Sequence, residues 1–182
     1  MAFPTFTSGD VLTATDMNAV GLWLVKTQSV GTGVSTVEVT NAFSSTYRNY
    51  YVTWTGGTLN AADNIAVYMG NATLASGYYG ARVAANPSST LLLAGDNNAN
   101  SWNNAAAGHT AGATCEFWFF NPNIADETFF RSTFWKINTA DPIFGDYTGF
   151  LNNTTQYTSF TLDPGDATTM SGGTIRVYGY RN

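Results

Sequence analysis

Asn49-Tyr50-Tyr51-Val52-Thr53-Trp54 sets Tyr50, Val52 and Trp54 on one side of an extended chain and Asn49, Tyr51 and Thr53 on the other. Successive side chains of a strand point to opposite faces, so this period of two predicts a strand with one face in a core. The pattern recurs in both directions. Val37 and Val39 alternate with Thr36, Glu38 and Thr40, and Asn64 to Met69 aligns Ile65, Val67 and Met69. Leu74 to Val83 is weaker, with Tyr78 and Tyr79 adjacent, and Leu91-Leu92-Leu93 is too short to show a period. Phe117 to Phe120 is apolar on both faces, which suits a central strand or one covered by a second subunit. In Thr128 to Ile137, Phe130 and Phe134 fall on one side and Phe129, Trp135 and Ile137 on the other.

Ile143 to Leu151, Tyr157 to Leu162 and Thr174 to Tyr180 bring the expected total to about nine or ten strands. Asn121 to Glu127 reads as a loop, and Asp163-Pro164-Gly165-Asp166 as a turn in which Pro presets φ and Gly accepts a positive φ. Strands do not alternate with helices and no heptad is sustained, which argues against a doubly wound sheet or a coiled-coil shaft. The fold class expected is all-β, an antiparallel two-sheet sandwich of jelly-roll type with a short N-terminal helical arm. The longest irregular stretch expected is Ala94 to Thr114, long enough to be functional.

Aromatic residues make up 15% of the 182 positions and charged residues 10%. Usual proteins carry about 25% charged residues, so Asn, Thr, Ser and Gly must cover much of this surface. Such a surface can pack against other protein without stripping water from ions. The net charge of −5 and seven scattered basic residues offer no stripe for a phosphate backbone, so nucleic acid is not an expected partner. No apolar run approaches the ~20 residues of a helical span, so membrane insertion is not expected either. Met1-Ala2-Phe3-Pro4 lacks a basic start and apolar stretch, which leads us to expect synthesis in a cytoplasm and release by lysis or assembly. The lone Cys115, ahead of Glu116-Phe117-Trp118-Phe119-Phe120, reads as a buried thiol.

The N-terminal region has a different grammar. Thr13 can cap a helix, Asp16 places negative charge in its first turn, and Leu12 and Met17 have the spacing of a hydrophobic staple. Gly21 stops the helix after about two turns. So short a helix is unstable alone and must lie against a partner surface. We therefore divide the chain into an attachment arm over residues 1–30 and a β-sandwich domain over 31–182.

Phe6, Gly9, Asp10, Val11, Leu12, Thr13, Ala14, Asp16, Asn18 and Ala19 follow an order that resembles the N-terminal stretch of tailed-bacteriophage virion structural proteins. Two further stretches, Phe43 to Tyr50 and Gly172 to Tyr180, resemble phrases of the same proteins. The resemblance implies a tail fibre, a receptor-binding knob or a head decoration, located in the virion and bound to other capsid or tail proteins. It also implies a homo-oligomer, a trimer being common among such fibres. Attachment would be carried by Phe3, Phe6, Val11, Leu12, Thr13, Asp16 and Met17.

Chemistry that would make an enzyme is not selected by these residues. The single histidine, His109, sits among Ala, Gly and Thr without an evident orienting acid. One His and one Cys cannot supply the usual zinc ligands. Asp96, Asn98 and Asn100 begin like a calcium loop, but Ser101 and Ala107 stand where Gly and Glu are required. Glu38, Glu116, Asp126, Glu127, Asp141 and Asp146 provide carboxylates without singling out a glycosidase pair. We expect no catalytic site, metal or cofactor. The sharpest binding candidate is Asn98, Asn100, Trp102, Asn103 and Asn104, where an indole could stack on a sugar ring and amides could bond its hydroxyls, giving a module for host-surface glycan. The competing reading folds Trp102 inward as a plug of the sandwich.

Overall fold

A computed structural model describes Gly9, Val11 and residues 21–138, 140, 142–165 and 167–180. Its strands are β1 (Leu22–Ser29), β2 (Val37–Val39), β3 (Asn49–Leu59), β4 (Asp63–Met69), β5 (Tyr78–Ala85), β6 (Leu91–Ala99), β7 (Trp102–Gly108), β8 (Ala113–Phe120), β9 (Thr128–Lys136), β10 (Ile143–Leu151), β11 (Phe160–Asp163), β12 (Met170–Ser171) and β13 (Thr174–Tyr180). The larger sheet runs β1-β13-β3-β8-β9-β10-β5-β6, with β12 also paired to β3, and the smaller runs β2-β11-β4-β7. Every strand pair is antiparallel. The helix expected from Thr13 onward, with Phe3, Phe6, Leu12, Asp16 and Met17, lies outside the described residues; Val11 is described and exposed.

The inner face of the large sheet supplies most of the core. Tyr50, Val52 and Trp54 of β3 are fully buried, as their period requires, beside Phe117 and Phe119 of β8 and Phe130 and Phe134 of β9. The small sheet closes over them with Ile65, Val67, Phe160 and Leu162. Ring geometry shows interlocking rather than mere proximity: Phe119 lies 5.1 Å from each of Phe43, Phe130 and Phe160, centroid to centroid. Rings at such tilted separations add attraction to the hydrophobic gain.

Two expectations are corrected here. Ala94 to Thr114 is not an irregular loop, because β6, β7 and the start of β8 fill it. β7 escaped notice because Ala105-Ala106-Ala107-Gly108 lacks the β-branched residues that announce strands. Small side chains suit its place against the bulky inner face, where the Ser132 hydroxyl donates to the Ala105 carbonyl. The arm boundary drawn at residue 30 also moves, since β1 pairs with β13 from Leu22↔Tyr180 to Ser29↔Thr174 as part of the large sheet. A register shift between Leu24 and Lys26 breaks the period of β1 and hides it from a search for alternation.

Burial also fixes the behaviour of the ionisable core. Cys115 is fully buried, and desolvation pushes its thiol far above the ordinary value. A disulfide reagent at neutral pH is expected to leave the native protein unlabelled and to titrate one thiol in denaturant; rapid native labelling would contradict the packing. Burial, then the neighbouring Glu116, raises Tyr51 from 10.0 to about 12, and burial raises Tyr78 and Tyr147 as well. The folded state therefore keeps these protons where the unfolded chain releases them. Their stabilisation is complete below the unfolded values and fades as pH rises through the folded ones. Thermal midpoints should accordingly fall as pH climbs above about 10, and a flat profile from there to pH 12 would count against these assignments.

Candidate functional site

Outward-facing positions of the large sheet carry an unusual load of rings. Phe120, Phe129, Phe150 and Tyr79 form a row across β8, β9, β10 and β5, each directly opposite the next. Tyr79 stacks on Phe150 at 5.1 Å and 11°. A second row joins Tyr178, Tyr51, Trp118 and Arg131, with the Arg131 guanidinium carbon 5.4 Å from the indole centroid of Trp118. Beyond it, Phe144, Val83, Leu91 and Leu93 are exposed by 48%, 56%, 60% and 67%. The inner face is covered by the small sheet, whereas this outer face has no layer over it among the described residues.

Charge on this face is sparse and mixed. Arg131 and Asp146 approach to 3.4 Å, and the Thr133 hydroxyl donates to the same carboxylate oxygen at 2.6 Å. An exposed pair of this kind contributes little to stability; Glu116 of β8 and Arg176 of β13 face the same side, in one cross-strand row with Thr53, Thr133 and Asp146, so the rings are interspersed with two cations and two anions.

The residues expected to hold a glycan are separated by the fold. Trp102 is fully buried on β7, stacked on Phe130 at 4.2 Å and 10° and edge-on to Tyr78 at 4.9 Å. Its indole N–H donates to the Phe150 carbonyl at 3.4 Å. No face of this indole is open to a sugar. Asn98, at φ 57°, lies exposed near the end of β6 and accepts from the Tyr79 hydroxyl at 3.2 Å, and Asn100, exposed in the β6–β7 turn, accepts from Ser101 at 3.3 Å. Asn103 turns toward Asp96, and Asn104 accepts from the Asn64 amide at 3.1 Å.

Asp96 is the hub of this corner. Its carboxylate accepts from the Asn103 backbone at 3.0 Å, the Asn103 amide at 2.8 Å and the buried Tyr147 hydroxyl at 2.7 Å. The carboxylate thereby occupies a donor on the edge strand β7 and ties it to β6 and β10. Gly80 makes the approach possible, because a Cβ there would collide with the Tyr147 hydroxyl. His109 sits in the β7–β8 turn, its Nδ1 accepting from the Ala111 backbone at 3.3 Å. That leaves its local turn as its partner, not an acid.

Comparison with protein-family models, with curated proteins and with solved structures finds no match for this chain.

Proposed function

We propose that this is a non-catalytic structural protein of a virion, of the short-fibre, knob or capsid-decoration kind, built on a jelly-roll-type sandwich that self-associates through the outer face of its large sheet. The uncovered rows of rings on that face carry the reading. Strands about 4.8 Å apart and same-face residues about 6.8 Å apart give eight strands and four rows an area of roughly 700–1,000 Å². A standard interface buries about 800 Å² per partner. A second copy is the favoured occupant because Arg131 and Asp146 lie side by side, so a copy turned by a two-fold axis can offer the opposite charge to each. A trimer, as the resemblance implies, would use the same face with a different rotation.

The virion assignment is supported by the resemblance of the N-terminal residues and by a weakly charged, aromatic-rich composition suited to assembly. The experiment is a mass measurement in solution. The wild type should exceed the 19.5 kDa of one chain by a whole-number factor, and F129K combined with F144K should return the mass to one chain with an unchanged circular dichroism spectrum. A wild-type monomer at tens of micromolar would overturn self-association. Removing residues 1–20 should spare the sheet, which begins at Leu22, but prevent incorporation into particles.

A further inference from the structure

Two cations occupy strand positions that belong to the core. On β5, Tyr78, Gly80 and Ala84 face inward, and Arg82 shares their phase. On β9, Phe130, Ser132 and Phe134 are buried, and Lys136 continues that side. Both reach the mouth where the two sheets separate, a cleft of about 220 Å³ floored by Ile143 and Ala107 and walled by Asp63 and Asn64. Inward-facing charge is costly unless something there uses it.

Neither cation is neutralised. The Arg82 Nη1 donates to Asn64 Oδ1 at 2.7 Å, while its Nε is buried with no hydrogen-bond partner. Burial disfavours the charged form of Arg82 more than Asp96, at a distance, favours it, and among the described residues the ion pair formed is Arg131 with Asp146, elsewhere on the protein. The carboxylate on the wall is already engaged: Asp63 accepts from the Asn64 backbone at 2.8 Å and from the buried Thr168 hydroxyl at 2.6 Å. The cleft is thus lined by two cations and one occupied anion. A single carboxylate would fit that imbalance, with the planar guanidinium and the ammonium on either side of it.

Asn64 and Asp63 also border a second hollow of about 240 Å³, lined further by Asn103, Asn104 and Asp163. Its amides can donate to hydroxyls and accept from them, while its carboxylates accept. Asp63 and Asp163 would repel a run of acidic side chains, so an acidic peptide is a poor occupant of the joined clefts. We propose that this mouth binds an acidic saccharide, with the carboxylate of a sugar acid between Arg82 and Lys136 and the adjoining sugar along Asn103, Asn104 and Asp163.

Calorimetry with methyl β-D-glucuronide, N-acetylneuraminic acid and methyl β-D-glucoside tests this directly. At least one of the two acids should bind with a dissociation constant on the order of 1 mM, about tenfold tighter than the neutral glucoside. The Lys136 ammonium makes no hydrogen bond or ion pair among the described residues, so Lys136→Gln should keep the thermal midpoint while weakening the acid about tenfold. Arg82→Gln should weaken it further, and wild-type-like binding by that variant would refute the site even if its stability drops. Equal affinity for acid and neutral sugar, no binding of either acid, or tighter binding of triglutamate than of both acids would each overturn the proposal.

Discussion

Trp102→Ala is expected to lower the thermal midpoint by roughly 6–20 °C. Truncating a buried Trp costs about 3–5 kcal/mol, from lost transfer energy and the cavity left behind, and about 2–4 °C follows each kcal/mol in a domain of this size. The upper part of the range is favoured by the surroundings. The indole loses a 4.2 Å stack on Phe130 and an edge contact with Tyr78, and the Phe150 carbonyl loses a donor. β7 cannot collapse into the gap, because the rest of its buried stretch, Ala105 to Gly108, is small and already packed. Trp102→Phe should recover part of the loss by restoring a stacked ring. Thermal unfolding followed by circular dichroism decides it, and a midpoint within about 2 °C of wild type would mean the indole is not part of the core.

The parts of this fold that announce themselves in sequence are those where one face is buried and the strand is unbroken. Tyr50, Val52 and Trp54 are such a case, and the two-faced Phe117 to Phe120 is indeed central, between β3 and β9. β1 and β7 are hidden for different reasons, a register shift in one and the small Ala105 to Gly108 half of the other. Trp102 beside several asparagines suggests a wet loop, yet the neighbours point away from it, into the Asp96 network and the β4 wall. The cleft was invisible because a lysine or arginine in a strand ordinarily reads as solvent-facing. Only the phase of Tyr78 and Ala84 shows that Arg82 points inward. Counting two residues either side of each strand cation, and asking whether those neighbours are apolar, is the signal that could have found it.

Asp96→Ala is expected to cost roughly 2–6 kcal/mol, far more than its modest side-chain volume suggests. The cost comes from what is stranded: a buried Tyr147 hydroxyl and an Asn103 backbone N–H each lose their acceptor, at about 1–3 kcal/mol apiece. Asp96→Asn should be intermediate, since an amide oxygen can still take the Tyr147 proton while the amide nitrogen would face the donors of Asn103. A thermodynamic cycle with Tyr147→Phe separates a network from a coincidence. Once the phenolic hydroxyl is gone, one stranded donor is gone with it, so Asp96→Ala should cost about 1 kcal/mol less or better in that background. Strictly additive losses would mean that the 2.7 Å contact contributes nothing to the corner.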